Sequence, residues 1–151
     1  MIQQRIRPGT IDEVVAISQQ IPEFNQPYGA EEYQRRLASV PHLIQIAEVE
    51  GEAAGFKVGY QLEEGVFYSW MGGILPDFRA LGLAREMLLA QEAWANDQGY
   101  DRLKVKSRNR YATMVAMLLR HGYGIEAFEA KGDTLADHRI HLTKALKNGN
   151  E

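Results

Sequence analysis

The spacing of apolar positions changes period along the chain, and each change marks an element. Ile2 and Arg5-Ile6-Arg7 make a short strand pattern, closed by Pro8-Gly9. Thr10 and Glu13 stand at capping-box spacing, and Ile11, Val14, Val15 and Ile17 line one face of the helix they open. Pro22 and Pro27 make residues 21–28 a loop. A second short helix is expected over residues 30–38, with Glu31 and Glu32 in its first turn, where carboxylates suit the helix dipole. Residues 42–49 and 53–61 read as strands joined at Glu50-Gly51, a hairpin signal. A third strand, 66–75, contains Gly72-Gly73, and paired glycines inside a strand suggest a bulge or a close backbone approach. From 79 to 97 the period becomes helical: Leu83, Met87, Ala90 and Trp94 form one stripe, and Gly99 is the stop. Leu103 and Val105 alternate with Arg102, Lys104 and Lys106, as in a strand. A helix is expected over 110–120, begun by Asn109 and ended by Gly122. Strands over 123–130 and 138–145 complete the chain.

The resulting order, β-α-α-β-β-β-α-β-α-β-β, puts antiparallel hairpins before a β-α-β unit. It predicts an α/β domain around one mixed central sheet. With 151 residues the chain suits a single domain, taken as residues 1–147, followed by a short polar tail at 148–151. There is no cysteine, which excludes disulfides, thiolate metal sites and a cysteine-linked acyl-enzyme. His42, His121, His138 and His141 show no ligand-like clustering, so no metal is expected. Seventeen Lys and Arg against twenty Asp and Glu give a net charge of −3, a poor balance for a nucleic-acid binder. No apolar run approaches a signal or membrane-spanning length, so a cytoplasmic protein without membrane partners is expected.

The segment richest in chemistry runs from residue 73 to residue 85 and joins a strand to the long helix. The first N–H groups of a helix lack internal partners and carry partial positive charge, so a phosphate placed there is hydrogen-bonded and electrostatically favoured. Gly82 offers no side chain to block that approach, Ala84 is almost as small, and Arg79 and Arg85 add full charges. On its own the pattern could equally reflect close packing of helix on sheet.

The pattern Ile74-x-Pro76-x-x-Arg79-x-x-Gly82-x-Ala84 resembles the acetyl-CoA motif of the GNAT superfamily of N-acetyltransferases. The element order is similar over nearly the whole chain. Residues 109–123, ending His121-Gly122-Tyr123, resemble the family's second motif, a helix that finishes in Gly-Phe. The resemblance implies a GNAT-like sheet with helices on both faces. It implies that backbone N–H groups of Ala80, Leu81, Gly82, Leu83 and Ala84 hold the CoA pyrophosphate, with Arg79 and Arg85 at its rim. It further implies that Gly73 and Ile74 pair with the pantetheine arm and that Asn109 hydrogen-bonds its end.

The same resemblance shows departures. The family's leaving-thiolate tyrosine would fall at Leu118 or Ala116, depending on register, and a general-base glutamate of some members falls at Tyr68. With no cysteine, direct attack of a primary amine on acetyl-CoA in a ternary complex is expected, with Tyr68 orienting water or the amine. The family builds its acceptor site from the region of Glu23, Phe24 and Tyr28, where carboxylate and aromatic faces would attract an ammonium group. Trp70 suits either core or acceptor pocket, whereas Trp94, Met114, Met117, Leu118 and Leu119 read as core. Lys104 and Lys106, near Arg102, Arg108 and Arg110, read as a solvated face, with a basic patch for the CoA 3′-phosphate or an acidic acceptor as the alternative. The rival to an active enzyme acting on a small-molecule or peptide amine is a CoA-binding sensor or scaffold without turnover. The sequence leaves a homodimer open.

Overall fold

A computed structural model describes residues 1–147. The tail at 148–151 lies outside the described residues. The elements follow the expected order: β1 (Gln4–Pro8), α1 (Ile11–Ser18), α2 (Ala30–Leu37), β2 (His42–Val49), β3 (Glu52–Glu63), β4 (Val66–Ile74), α3 (Leu83–Asp97), β5 (Arg102–Arg108), α4 (Ala112–Arg120), β6 (Gly124–Glu129) and β7 (Arg139–Ala145). One seven-stranded sheet has the order β1-β2-β3-β4-β5-β7-β6. It is mixed, because β4 and β5 pair parallel while β1 with β2, β2 with β3, β5 with β7 and β6 with β7 pair antiparallel.

The chain divides into two compact units. The N-terminal unit contains Met1–Gln61 and Trp70–Ala93; the C-terminal unit contains Leu62–Ser69 and the chain from Trp94 onward. In the N-terminal unit the capping box at α1 forms as expected: the Glu13 amide donates to Thr10 Oγ1 at 3.2 Å, and the Thr10 amide donates to Glu13 Oε1 at 3.0 Å. Val14 and Ile17 of α1 and Tyr33 and Leu37 of α2 pack with Ile44, Ile46, Phe56 and Val58 on one sheet face. Leu83 and Met87 of α3 pack with Ala47, Val49 and Ala54 on the other. Alternation along β2 sends Ile44 and Ile46 to one face and Ala47 and Val49 to the other, and a bulge lets β3 follow. Ala47 pairs with Gly55 and Glu48 with Ala53, so Ala54 is the extra residue and the faces of β3 exchange there. Each fully buried side chain of the size of Ile46 or Phe56 contributes about 1.5–3 kcal/mol.

In the C-terminal unit, residues 66–69 of β4 pair with 102–105 of β5, and β5 pairs along its length with β7. Leu103, Val105, Ile140, Leu142 and Leu118 are buried there. Phe67, Trp94 and Tyr100 form an aromatic triplet, with the Phe67 ring 5.1 Å from each of the other two.

Four expectations need correction. The helix foreseen from residue 79 starts at Leu83, because Pro76–Phe78 forms a 3-10 turn and residues 80 and 82 have positive φ. The next helix is not begun by Asn109: its N-cap position is Tyr111. The buried side of α3 carries Leu88, Gln91, Glu92 and Ala95 as well as Leu83 and Met87, so two polar residues lie within it. Met114 and Leu119, read as core, are exposed, and only Leu118 of that group is fully buried.

Candidate active site

The turn between β4 and α3 is anchored at both ends in the N-terminal unit. The Leu75 amide donates to the Ala54 carbonyl at 2.8 Å, and Phe78 and Leu81 pack against the cluster around Leu83 and Met87. Between these anchors the chain reverses through Ala80 at φ 66° and Gly82 at φ 80°. The left-handed region costs a residue with a Cβ about 1–2 kcal/mol, and glycine avoids that cost. Ala80 bears it, which marks the loop as strained. The Glu86 amide donates to the Gly82 carbonyl at 3.0 Å. The amides of Leu83 and Ala84 precede that first helical bond and have no i−4 partner within the helix. A Cβ built on Gly82 meets nothing within 4 Å, so the approach to this end of the helix is open. An anion can therefore reach donors that the fold leaves over, and the residues present fit a pyrophosphate.

Arg79 and Arg85 are both exposed at this turn, but Arg79 is already engaged. Its Nη1 and Nη2 donate to the two carboxylate oxygens of Glu23, each at 2.9 Å, and its Nε donates to the Ile74 carbonyl at 3.1 Å. The Arg79 guanidinium holds the Glu23 carboxyl below the usual carboxylate range. The unit thus brings together a residue foreseen for the acceptor and one foreseen for the cofactor, 56 positions apart. No local signal announces such a pair. Gly73 is also tightly placed: a Cβ there would lie 2.6 Å from Ile21 Cδ1 and 3.4 Å from Phe24 Cζ. Only glycine lets the 21–24 loop rest against the β4 backbone, and this explains half of the Gly72-Gly73 pair. A Cβ on Gly72 would come within 3.1 Å of the Phe56 carbonyl oxygen.

Tyr28 and Trp70 belong to an aromatic cluster. Trp70 lies 5.7 Å from Tyr28, 5.1 Å from Tyr33 and 5.7 Å from Tyr60, and the Arg36 guanidinium stacks 4.3 Å over its ring. Tyr28 stays 39% exposed, whereas Tyr33 is buried and its phenol is pushed up to about 12 by desolvation. Trp70 is therefore half-buried framework with one cationic neighbour. Lys57, on β3, is pushed down to about 8 by burial and pulled back by Glu92 on α3.

The C-terminal unit holds the remaining foreseen residues. Tyr68 is buried and lies opposite Lys104 in the parallel ladder, with Lys106 Nζ 5.3 Å from its ring centre. Asn109 Nδ2 donates to the Leu135 carbonyl at 2.9 Å, and its amide donates to the His138 carbonyl at 3.2 Å. It thereby ties the start of the α4 approach to the 131–138 loop, where Arg110 pairs with Asp137. Of the two positions where the resemblance would set a tyrosine, Leu118 is 1% exposed. Among the described residues no group of three or more His, Asp or Glu side chains is arranged to hold a metal ion, and no helix is long and apolar enough to cross a membrane.

The fold is shared with solved acetyltransferases. The ribosomal-protein-S18-alanine N-acetyltransferase from Escherichia coli is 15% identical with a TM-score of 0.82, over 95% of this chain and 94% of that one. An acetyltransferase of the GNAT family from Streptococcus pneumoniae is 18% identical with a TM-score of 0.78, over 95% and 99%. A GNAT family acetyltransferase from Elizabethkingia anophelis with acetyl-CoA bound is 15% identical with a TM-score of 0.73, over 95% and 98%. At these identities the likeness establishes the fold alone. No curated protein matches the chain. Residues 12–123, which include β4, the open turn and the start of α3, match the family model described as the acetyltransferase (GNAT) family. The chain belongs to that family, an acyltransferase family.

Proposed function

We propose that the protein transfers the acetyl group of acetyl-CoA to a primary amine by direct attack. The observation that carries this reading is the turn at residues 79–85: an open Gly82, two positive-φ residues and the helix-start amides of Leu83 and Ala84, inside the segment the family model matches. Acetyl-CoA supplies the activated thioester when bound. In this reading the amides of residues 80–84 receive its pyrophosphate, Arg85 and Arg79 flank it, and the backbone of Gly73 and Ile74 receives the pantetheine arm.

Three of the five Arg79 N–H donors go to Glu23 and the Ile74 carbonyl, and the Glu23 carboxylate offsets its charge, so its part at the rim competes with that pair. Asn109 is proposed as the pantetheine donor, a part that competes with its bond to Leu135. The absence of cysteine supports direct attack over a cysteine-linked acyl-enzyme. An alkyl amine has a pKa near 10 and must lose a proton before attack. Tyr68 is proposed to orient the water that removes it. Glu23, Phe24 and Tyr28 are proposed to attract the ammonium group of the acceptor.

Calorimetry with acetyl-CoA tests the cofactor half. Specific binding to the folded state should stabilise it by about 2.7 kcal/mol at a hundredfold excess over Kd. Absence of binding at millimolar ligand would sink the reading. Thiol release across a panel of amines separates an active enzyme from a CoA-binding module without turnover, which Leu118 in place of a tyrosine would suit.

A further inference from the structure

Within the N-terminal unit, the layer between α3 and the sheet is apolar at one end and polar at the other. Leu83 and Met87 pack on Ala47, Val49 and Ala54. One turn further along α3 stand Gln91 and Glu92, both buried. On the sheet, Phe56 and Val58 belong to the opposite core cluster, so Lys57 between them faces α3. Gln45 stands between Ile44 and Ile46 in the same way, and it lies directly opposite Lys57 in the antiparallel ladder. Register partners of this kind have Cβ atoms about 4.5–5.5 Å apart. Glu92 acts electrostatically on the Lys57 ammonium, which sets that turn of α3 over the pair.

Three side-chain atoms in this layer have no hydrogen-bond partner among the described residues. They are Gln91 Nε2, Gln91 Oε1 and Gln45 Oε1, on residues that are 0% and 3% exposed. Interiors rarely leave such groups alone, because each loses its hydration without compensation. The lysine ammonium does not complement this set. It has donors only, so it can serve the two oxygens but not the Gln91 amide donor. It also carries a charge that the layer disfavours: desolvation outweighs the pull of Glu92, and Lys57 is pushed down to about 8. An acetamide on Lys57 would complement the set, with an N–H for an oxygen, a C=O for Gln91 Nε2 and no charge to bury. Access to the lysine is open along its stem. Lys57 is half-buried, Gly72 beside it is exposed, and a Cβ built on Gly72 would lie 3.6 Å from Lys57 Cγ. Gly72 directly precedes Gly73 and Ile74, the backbone assigned above to the pantetheine arm.

We propose that Lys57 is a modification site of this protein, acetylated at Nζ by acetyl-CoA. The neutral amine attacks the thioester carbonyl carbon, the C–N bond forms as the C–S bond breaks, and the CoA thiolate leaves and takes up the proton that the nitrogen loses. At pH 7 the lowered pKa leaves on the order of a hundredfold more neutral amine than an ordinary lysine has. The choice of donor rests on the acetyl-CoA reading above; the reactivity of the lysine does not.

The test uses the full chain, no added amine and two donors: acetyl-CoA, and N,S-diacetylcysteamine, a small thioester without the pyrophosphate. Peptide mass spectrometry follows Lys57 beside the other five lysines. With both donors Lys57 should react about tenfold or more faster than any other lysine, and unfolding in urea should erase the difference. Its rate should level off above about pH 8 while the others continue to climb. A Lys57 that reacts no faster than the rest with either donor overturns the proposal, and calorimetric binding of acetyl-CoA in the same sample leaves the transferase reading standing. A Lys57 that leads with the small thioester alone overturns acetyl-CoA as its donor. Stability gives a second readout. At pH 7 the acetylated chain should melt above the unmodified one, and the gap should narrow as pH climbs from about 8 to 10.5, where the free lysine loses its charge. Gln91→Leu should reduce that gap by removing the groups that receive the amide. A lower Tm after acetylation would show that the layer rejects the acetyl group, and it overturns the proposal.

Discussion

Two regions of this protein present positive charge to solvent, and they are built in opposite ways. The turn at residues 79–85 does it chiefly with backbone: Gly82 opens the approach, and the amides of Leu83 and Ala84 start a helix that gives them no internal partner. The face of β5 and β7 does it with side chains, by setting Arg108 against Arg139 and Lys106 beside them. The first arrangement has no repulsion to overcome, since its donors belong to peptide groups. The second sets like charges opposite each other, with the Asp137 carboxylate near Arg108 and that of Glu129 near Arg139. A substitution should therefore damage the turn through shape, and the sheet face through charge.

The largest effect should come from shape. Gly82→Val puts a β-branched side chain where φ is 80° and where the pyrophosphate is proposed to sit. The acetyl-CoA Kd should rise a hundredfold or more in calorimetry, and the left-handed strain should cost about 1–2 kcal/mol in denaturant unfolding. Retention of wild-type affinity would erase the distinction drawn here, because binding would not depend on the turn. Next in size is Tyr68→Phe on the sheet side. Tyr68 lies in register with Lys104, under the Lys106 ammonium. Loss of the hydroxyl should lower kcat on the order of tenfold to a hundredfold, short of the upper range for a true acid–base residue. An unchanged kcat would remove Tyr68 from the reaction.

Lys57 gives a contrast of a third kind, a cation beneath α3 whose partner, Glu92, is internal. Its folded pKa of about 8 lies below the 10.5 of an unperturbed lysine, so the unfolded chain binds more protons between those values. Stability should rise as pH climbs from about 8 to 10.5, with a slope of at most about 1.4 kcal/mol per pH unit. Lys57→Met should flatten that rise in urea unfolding at several pH values. A rise that survives the substitution would assign the titration elsewhere.

The sequence showed the order of all eleven elements because hydrophobic period and glycine stops are local signals. It also singled out the turn at residues 79–85, because Gly82 is visible in one dimension. It misplaced the start of α3 by four residues, since Phe78 and Leu81 continue a helical-looking pattern and nothing marks Ala80 as left-handed. It read Met114 and Leu119 as core because hydropathy does not show which side of a helix is covered. The Arg108–Arg139 opposition was out of reach: it depends on a strand register between residues 31 apart, and on a bulge at Glu126 that directs one of the nearby carboxylates to the other end of the face. The Glu23–Arg79 pair was hidden for the same reason. Each residue was singled out, but for a different site.

That pair sets the smallest expected effect and the finest test of the comparison. Both side chains are nearly half exposed, at 47% for Glu23 and 43% for Arg79, so solvent screens the interaction despite its bidentate geometry. Glu23→Gln should therefore change stability little in urea unfolding. The Glu23 carboxyl titrates below its unfolded value, so its contribution is complete above the usual carboxylate pKa and fades as pH falls through the lowered one. The substitution should abolish that small acid-side loss. Its kinetic consequence separates two roles. If Glu23 attracts the acceptor's ammonium group, Glu23→Gln raises KM for the amine and leaves the acetyl-CoA Kd alone. If Glu23 chiefly occupies Arg79, the freed guanidinium becomes available to phosphate and the acetyl-CoA Kd falls severalfold. The second outcome would mean that the backbone-built turn also uses a side-chain charge, released only when its carboxylate partner lets go.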